Sequence, residues 1–168
     1  MLVSLNWLKE FVDIKMSPYD FGEALTMSGT KVETLTVVAE NVANIFTGKI
    51  TKIEPHPNAD KLIVCTVDMG TDERVIVTAA RNVFVGAIVP VAVDGAVLAN
   101  GTKIGTNDFR GLLSYGMFCS IEELGMNTDL FSKEIMEVIL ILPENTPLGM
   151  DARELLWLDD VIIDVELT

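Results

Sequence analysis

Histidine occurs once in these 168 residues and cysteine twice, and basic residues are outnumbered by acidic ones, 12 to 25. The lone His56 has no partnered nucleophile or carboxylate pair in sequence, so it reads as a structural or surface residue rather than a general base. Cys65 and Cys119 lie in apolar, strand-like contexts with no CxxC spacing. They read as buried reduced thiols of a cytoplasmic protein, not as a disulfide or a metal site. There is no HxxxH, no cysteine cluster and no glycine-rich phosphate loop. No catalytic and no metal-binding residue is therefore assigned. No apolar run approaches the roughly 20 residues of a membrane span. The longest, Val83 to Val93, is broken by Gly86 and Pro90. The start, MLVSLNWLKEFVD, shows neither a basic leader nor a small-residue cleavage site. A net charge of −13 argues against non-specific binding to nucleic acid, which needs Lys and Arg to neutralise phosphates. DNA and membrane are not expected partners.

The acid is unevenly spread. From Lys49 to Cys119 seven basic residues face seven acidic ones, and the excess lies in the flanks, from Glu122 to Glu166 and near the start. A neutral centre permits a local RNA-facing surface. Within it, EPHPNADKLIVCTVDMG (Glu54 to Gly70) is the most informative stretch. Pro55 and Pro57 fix their own φ and hold their neighbours extended. Asn58 and Asp60 can form Asx turns, and Leu62 to Val67 reads as a strand. A stiff polar loop feeding a strand is where binding residues tend to sit. A plain rigid corner between two strands would use the same residues, and both readings stand.

Along the chain, residues 4–12 predict a helix capped by Ser4, with Trp7, Leu8, Phe11 and Val12 inward. Ser17-Pro18-Tyr19-Asp20 starts a second helix, lined by Phe21, Leu25 and Met27 and stopped at Gly29. Residues 30–38 predict a strand. From Phe46 short strands crowd together: 46–54, 61–68, 73–79 and 88–93. Pro90 suggests an edge or a bulge, and Asp94-Gly95 a turn. Further strands are expected at 117–120 and 137–142. Ser120 is placed to cap a brief helix ending at Gly125. Residues 151–158 read as a short helix, followed by a strand that runs to the end, as though the polypeptide were part of a longer one. Five short strands with glycine corners fit a small closed barrel of the OB type.

Two separated signatures, HPNADKL-x-VC-x-VD-x-G and RG-x-x-S-x-GM-x-CS, together resemble the tRNA-binding OB module of several aminoacyl-tRNA synthetases and free-standing tRNA-binding proteins. The start, VSLNWLKEFVD followed by LTMSG-x-x-VE, and the exit, LPENTPLGMDARELLWLDDVIIDVELT, resemble the N-terminal part of the bacterial phenylalanyl-tRNA synthetase β-chain family. That resemblance implies an α+β, mainly β fold: a five-stranded OB-fold barrel (40–150) inserted into a small split α/β domain. The split domain would comprise 1–39 plus 151–168 and continue beyond. It also implies a non-catalytic module of an enzyme that joins phenylalanine to its tRNA using ATP and magnesium, with no cofactor in this segment. The implied partners are phenylalanine-specific tRNA and the α chain, in an (αβ)2 heterotetramer. Expected RNA contacts are Lys49, Lys52, Asn58, Lys61, Arg81, Asn82, Arg110, Ser114 and Ser120, with Tyr115 or Phe118 as stacking rings. Where the family usually has Gly-Ala-Pro-Asn, this chain has Ala79-Ala80-Arg81-Asn82. Phe84, Ala87 and the stretch 127–136 also depart. The alternatives are a scaffold that binds no RNA and a free-standing tRNA-binding OB protein.

Overall fold

The computed structural model describes residues 1–127, 129 and 131–166. Thr128 and Leu130, in the stretch that departs from the family, and Leu167 and Thr168, at the end of the predicted last strand, lie outside the described residues. The chain divides into two compact units: Met1–Glu40 with the stretch from Trp157 onward, and Asn41–Leu156.

In the first unit, caps set the helices. Ser4 Oγ accepts the Trp7 N–H at 3.0 Å and starts α1 (Leu5–Lys9). Ser17 Oγ accepts the Asp20 N–H at 3.2 Å and starts α2 (Pro18–Met27), which stops before Gly29 at φ +104°. The strands β1 (Leu2–Ser4), β2 (Val32–Val37) and β10 (Val161–Val165) form an antiparallel sheet in the order β1-β10-β2. Leu5, Val161, Ile163 and Val165 are its buried core, with Phe21, Leu25, Val32 and Leu35 packed against them. Asp160 is buried and accepts from Ser4 Oγ, from the Asn6 N–H at 2.9 Å and from the Val161 N–H at 2.7 Å, tying α1 to β10.

The first helix corrects the sequence reading. It ends at Lys9, before Phe11 and Val12 can join a helical stripe, and Leu5 is the residue it buries. Trp7, Phe11 and Val12 are exposed, the two rings meeting edge to face at 5.5 Å. Met27 is also exposed instead of lining α2. β1 was not foreseen, because three residues carry too little alternation to read.

The second unit is an antiparallel five-stranded sheet in the order β5 (Glu73–Thr78), β4 (Ile63–Asp68), β3 (Ala43–Pro55), β6 (Ile88–Val97), β9 (Gly116–Phe118). Its axis is β3 (Ala43–Pro55), which pairs with β6 (Ile88–Val97) through Ala43–Lys49 and with β4 (Ile63–Asp68) through Lys49–Pro55. A strand that changes neighbours midway curls the sheet. Gly48 sits at the change: a Cβ there would stand 2.6 Å from Val67 Cγ1 and 2.7 Å from Met69 Sδ, so any larger residue would force those side chains to shift. Beyond β4 comes β5 (Glu73–Thr78). A hairpin of β7 (Asn107–Phe109) and β8 (Leu112–Ser114) leads into β9 (Gly116–Phe118). The two ends of the sheet touch: the Tyr115 N–H donates to Val75 O at 2.9 Å, and the Val77 N–H to Ser114 Oγ at 3.0 Å. Ile50, Val67, Ile76, Val89, Val91 and Phe118 fill the interior. At the base, Thr47 Oγ1 donates to Pro147 O at 2.6 Å and accepts the Met150 N–H at 3.0 Å. This holds the strap that enters α4 (Ala152–Leu155). Residues 151–156, grouped with the flank from the sequence, thus belong to this unit.

Three further expectations change. Pro90 lies in the interior strand β6, not on an edge. Its carbonyl accepts the Cys119 N–H at 3.0 Å, and the Cys119 carbonyl, which finds no donor at Pro90, accepts the Leu140 N–H at 3.1 Å. Asp94-Gly95 is not a turn but part of β6, where Gly95 (φ +81°) lies beside the register shift at Asn44 (φ 57°) of β3. Residues 137–142 are no continuous strand; after the short helix α3 (Lys133–Met136) they meet the sheet through the single bridges Ser120–Ile139 and Ile88–Leu142, with Ile139 and Ile141 packed against the core. Among the described residues no helix is long and apolar enough to cross a membrane.

Candidate functional site

At the far end of β3 the two prolines turn the chain, and His56 turns inward. Its backbone N–H donates to Leu62 O at 3.2 Å, closing the corner. The ring is buried; Nδ1 accepts the Asn58 N–H at 3.1 Å, so Nε2 carries the hydrogen and donates to Phe109 O at 2.8 Å. Phe109 leads into the two-residue turn Arg110-Gly111, both left-handed at φ 52° and 93°, with Asp108 Oδ1 accepting the Gly111 N–H at 2.7 Å. Asn58 Nδ2 donates to Arg110 O at 3.1 Å, and Arg110 Nη1 returns a bond to Asn58 O at 3.0 Å. From a third loop, Arg81 Nη2 donates to Lys61 O at 3.4 Å.

The corner, the turn after β5 and the hairpin tip therefore gather Asn58, Lys61, Arg81 and Arg110 at one rim, all of them exposed. Ala59, Asp60, Lys61, Leu62 and Arg110 line an open depression there. Among the described residues Lys61, Arg81 and Arg110 take part in none of the ion pairs, whose cations are the N-terminus, Lys15, Lys31, Lys52 and Arg74. Lys61 and Arg110, which line the depression together with Asp60, and Arg81 beside Lys61 can receive anionic oxygens of a polyanion, while leaving any base edge to the polar backbone and Asn58.

The other expected contacts are differently placed. Lys49 and Lys52 are exposed along β3, and Lys52 is paired with Glu54 at 2.9 Å. Ser114 is buried; its hydroxyl accepts from Val77 and donates to Gly116 O at 2.8 Å, so it joins the ends of the sheet and offers nothing to a ligand. Ser120 is half-buried in a capping box: its N–H donates to Glu123 Oε2 at 2.6 Å, and its Oγ accepts the Glu123 N–H at 3.4 Å. Asn82 spends both ends of its amide on Ile139, donating to its O at 2.8 Å and accepting its N–H at 3.3 Å. Phe118 is core, whereas the Tyr115 ring is exposed. Sequence reading missed Phe109, which matters through its carbonyl, a group with no sequence signal.

Both thiols are free and buried. Burial pushes Cys65 up to about 11, and burial together with the Glu123 carboxylate pushes Cys119 higher still. Among the described residues no three His, Cys, Asp or Glu side chains are grouped to hold a metal ion.

Residues 45–151 match the family described as "Putative tRNA binding domain", and the chain belongs to it. Over its whole length it is 44% identical to the phenylalanine–tRNA ligase beta subunit of Clostridium acetobutylicum and 46% identical to that of Clostridium tetani, covering 21% of each. The chain thus spans about a fifth of these relatives' length. A MetRS related protein from Pyrococcus horikoshii shares 18% identity, over 82% of this chain and 97% of that one, with a TM-score of 0.45, a likeness too loose to define the fold.

Proposed function

We propose that this chain is a non-catalytic tRNA-contacting module of a phenylalanine–tRNA ligase beta subunit. The five-stranded unit acts as an OB-fold barrel inserted in a split α/β domain that the two ends of the chain begin to build. The rim carries the reading: Lys61, Arg81 and Arg110 converge from three loops, unpaired, in a molecule whose net charge is −13. They would receive phosphates, Asn58 would lend polar contacts, and Lys49 and Lys52 would lie beside the strand's path. Recognition would be by backbone and shape, as is usual for structured RNA. Catalysis, in which ATP and magnesium serve the joining of phenylalanine to tRNA, would belong to other parts of a cytoplasmic (αβ)2 enzyme formed with an α chain.

Titration of the 168-residue chain with phenylalanine tRNA at 50 and 200 mM salt tests this. About three phosphate contacts predict a log–log slope of roughly −2.5 and a loss of affinity of about thirtyfold between those salts. Absent binding at 50 mM, or a flat salt response, would replace the reading with that of an assembly scaffold.

A further inference from the structure

The cations of the rim sit on loops, and one of those loops has little else to hold it. The β7–β8 hairpin has two strands of three residues each, and a two-stranded ribbon of that size is not stable by itself. Its base is fixed where Ser114 joins Val77. Its tip is fixed by bonds exchanged with the opposite corner: His56 Nε2–H on Phe109 O and Asn58 Nδ2–H on Arg110 O from the corner, and Arg110 Nη1–H on Asn58 O from the tip. The corner itself is kept in shape by the Asn58 N–H on His56 Nδ1. Both imidazole nitrogens are thus used, one within the corner and one across to the hairpin. The ring is buried, so water competes poorly for either bond.

We propose that His56 and Asn58 are positioning residues for RNA binding: they clamp the hairpin tip to the proline corner and so decide where Arg110 stands relative to Lys61. Neither acts by contributing charge. Without the clamp the barrel core stays closed, because Phe118, Gly116 and Ser114 still join its ends, but Arg110 no longer shares a site with Lys61. The proposal rests on the tRNA reading above for its function and on the hydrogen bonds alone for its geometry, and the two are separable.

The test compares His56→Ala, His56→Gln, Asn58→Ala, Arg110→Ala and the double variant His56→Ala/Arg110→Ala in the 168-residue chain. Native-state hydrogen exchange needs no ligand. His56→Ala and Asn58→Ala should speed exchange in the 107–114 hairpin about tenfold or more while the β3 and β6 amides keep their protection. His56→Gln, whose amide can still donate to Phe109 O, should restore most of it. Unchanged hairpin exchange in both alanine variants overturns the clamp whatever the tRNA result. If His56→Ala does not fold, Asn58→Ala, at an exposed position, carries the same reading. In the tRNA titration His56→Ala should lower affinity about as much as Arg110→Ala, some fivefold, and flatten the salt slope by about one contact. The double variant should be no worse than either single one, because both remove the same contact. Additive losses, or a His56→Ala slope equal to that of the unmodified chain while Arg110→Ala is weakened, overturn the positioning role. No effect of Arg110→Ala on tRNA affinity overturns it as well, since the clamp then positions nothing that RNA uses. Loss of the binding reading itself shows instead as no binding by the unmodified chain.

Discussion

Ten buried side chains from Ile50 to Phe118 form one core in the five-stranded unit, whereas among the described residues the core of the three-stranded unit is built of four, Leu5, Val161, Ile163 and Val165. The smaller unit also leaves Trp7, Phe11, Val12, Tyr19 and Met27 in solvent. Apolar burial is the main favourable term in folding, so the two units should not resist opening equally. The difference teaches where rigidity is spent: beneath the rim, on the curled sheet whose strands launch its loops.

The largest effect should come from where β9 packs on β6 and on the core of that sheet. At Gly116 (φ +148°) an added Cβ would lie 2.2 Å from Ala92 O, a backbone atom that cannot swing aside. Gly116→Ala is expected to cost about 3 kcal/mol or more, and Phe118→Ala about 3–5 kcal/mol, measured by urea denaturation. A loss below about 1 kcal/mol for both would mean that β9 is not packed against β6 in solution. Ile163→Ala in the thinner core should cost less, nearer the ~2 kcal/mol end of the range for such truncations, because its surroundings can collapse. Hydrogen exchange should place β1, β2 and β10 well below β3 and β6 in protection; equal protection would erase the contrast between the units. The smallest effect is set by pH. The Cys65 thiol is neutral in the folded chain up to about 11, above its value when unfolded. The folded state therefore holds the proton longer, and the associated stability is complete below about pH 9 and is lost as pH rises through 11. A thiol reagent at pH 8 should accordingly label Cys65 and Cys119 roughly a hundredfold more slowly in the native protein than in denaturant. Fast native labelling would show that the larger core opens readily and would reverse the comparison.

Much of this architecture is written locally. Ser4, Ser17 and Asp151 announce the helix starts, and alternation from Val64 to Val77 marks β4 and β5. What escaped reading depends on partners distant in sequence. Asp94-Gly95 has the composition of a turn and is a bulge because Asn44 lies across from it. Trp7 and Phe11 have helical spacing, but the helix stops between them. The site divides in the same way. Lys61, Arg81 and Arg110 were legible as charges on loops, and the corner was legible as stiff. Ser114, Ser120 and Asn82 are polar groups that can serve a ligand or the fold with equal chemistry, and here hydrogen bonds to Val77, Glu123 and Ile139 claim them for the fold.

Pro90 has a consequence beyond its own strand. With an imide nitrogen opposite Cys119, the ribbon beginning at Gly116 cannot extend past that point, and the vacant acceptor goes to Leu140. A single missing hydrogen thus acts as a junction that hands the sheet from one stretch of chain to another. An ordinary amide at position 90 would set two donors contending for one oxygen. The dispute would then be over routing, with the 139–142 stretch as the party displaced.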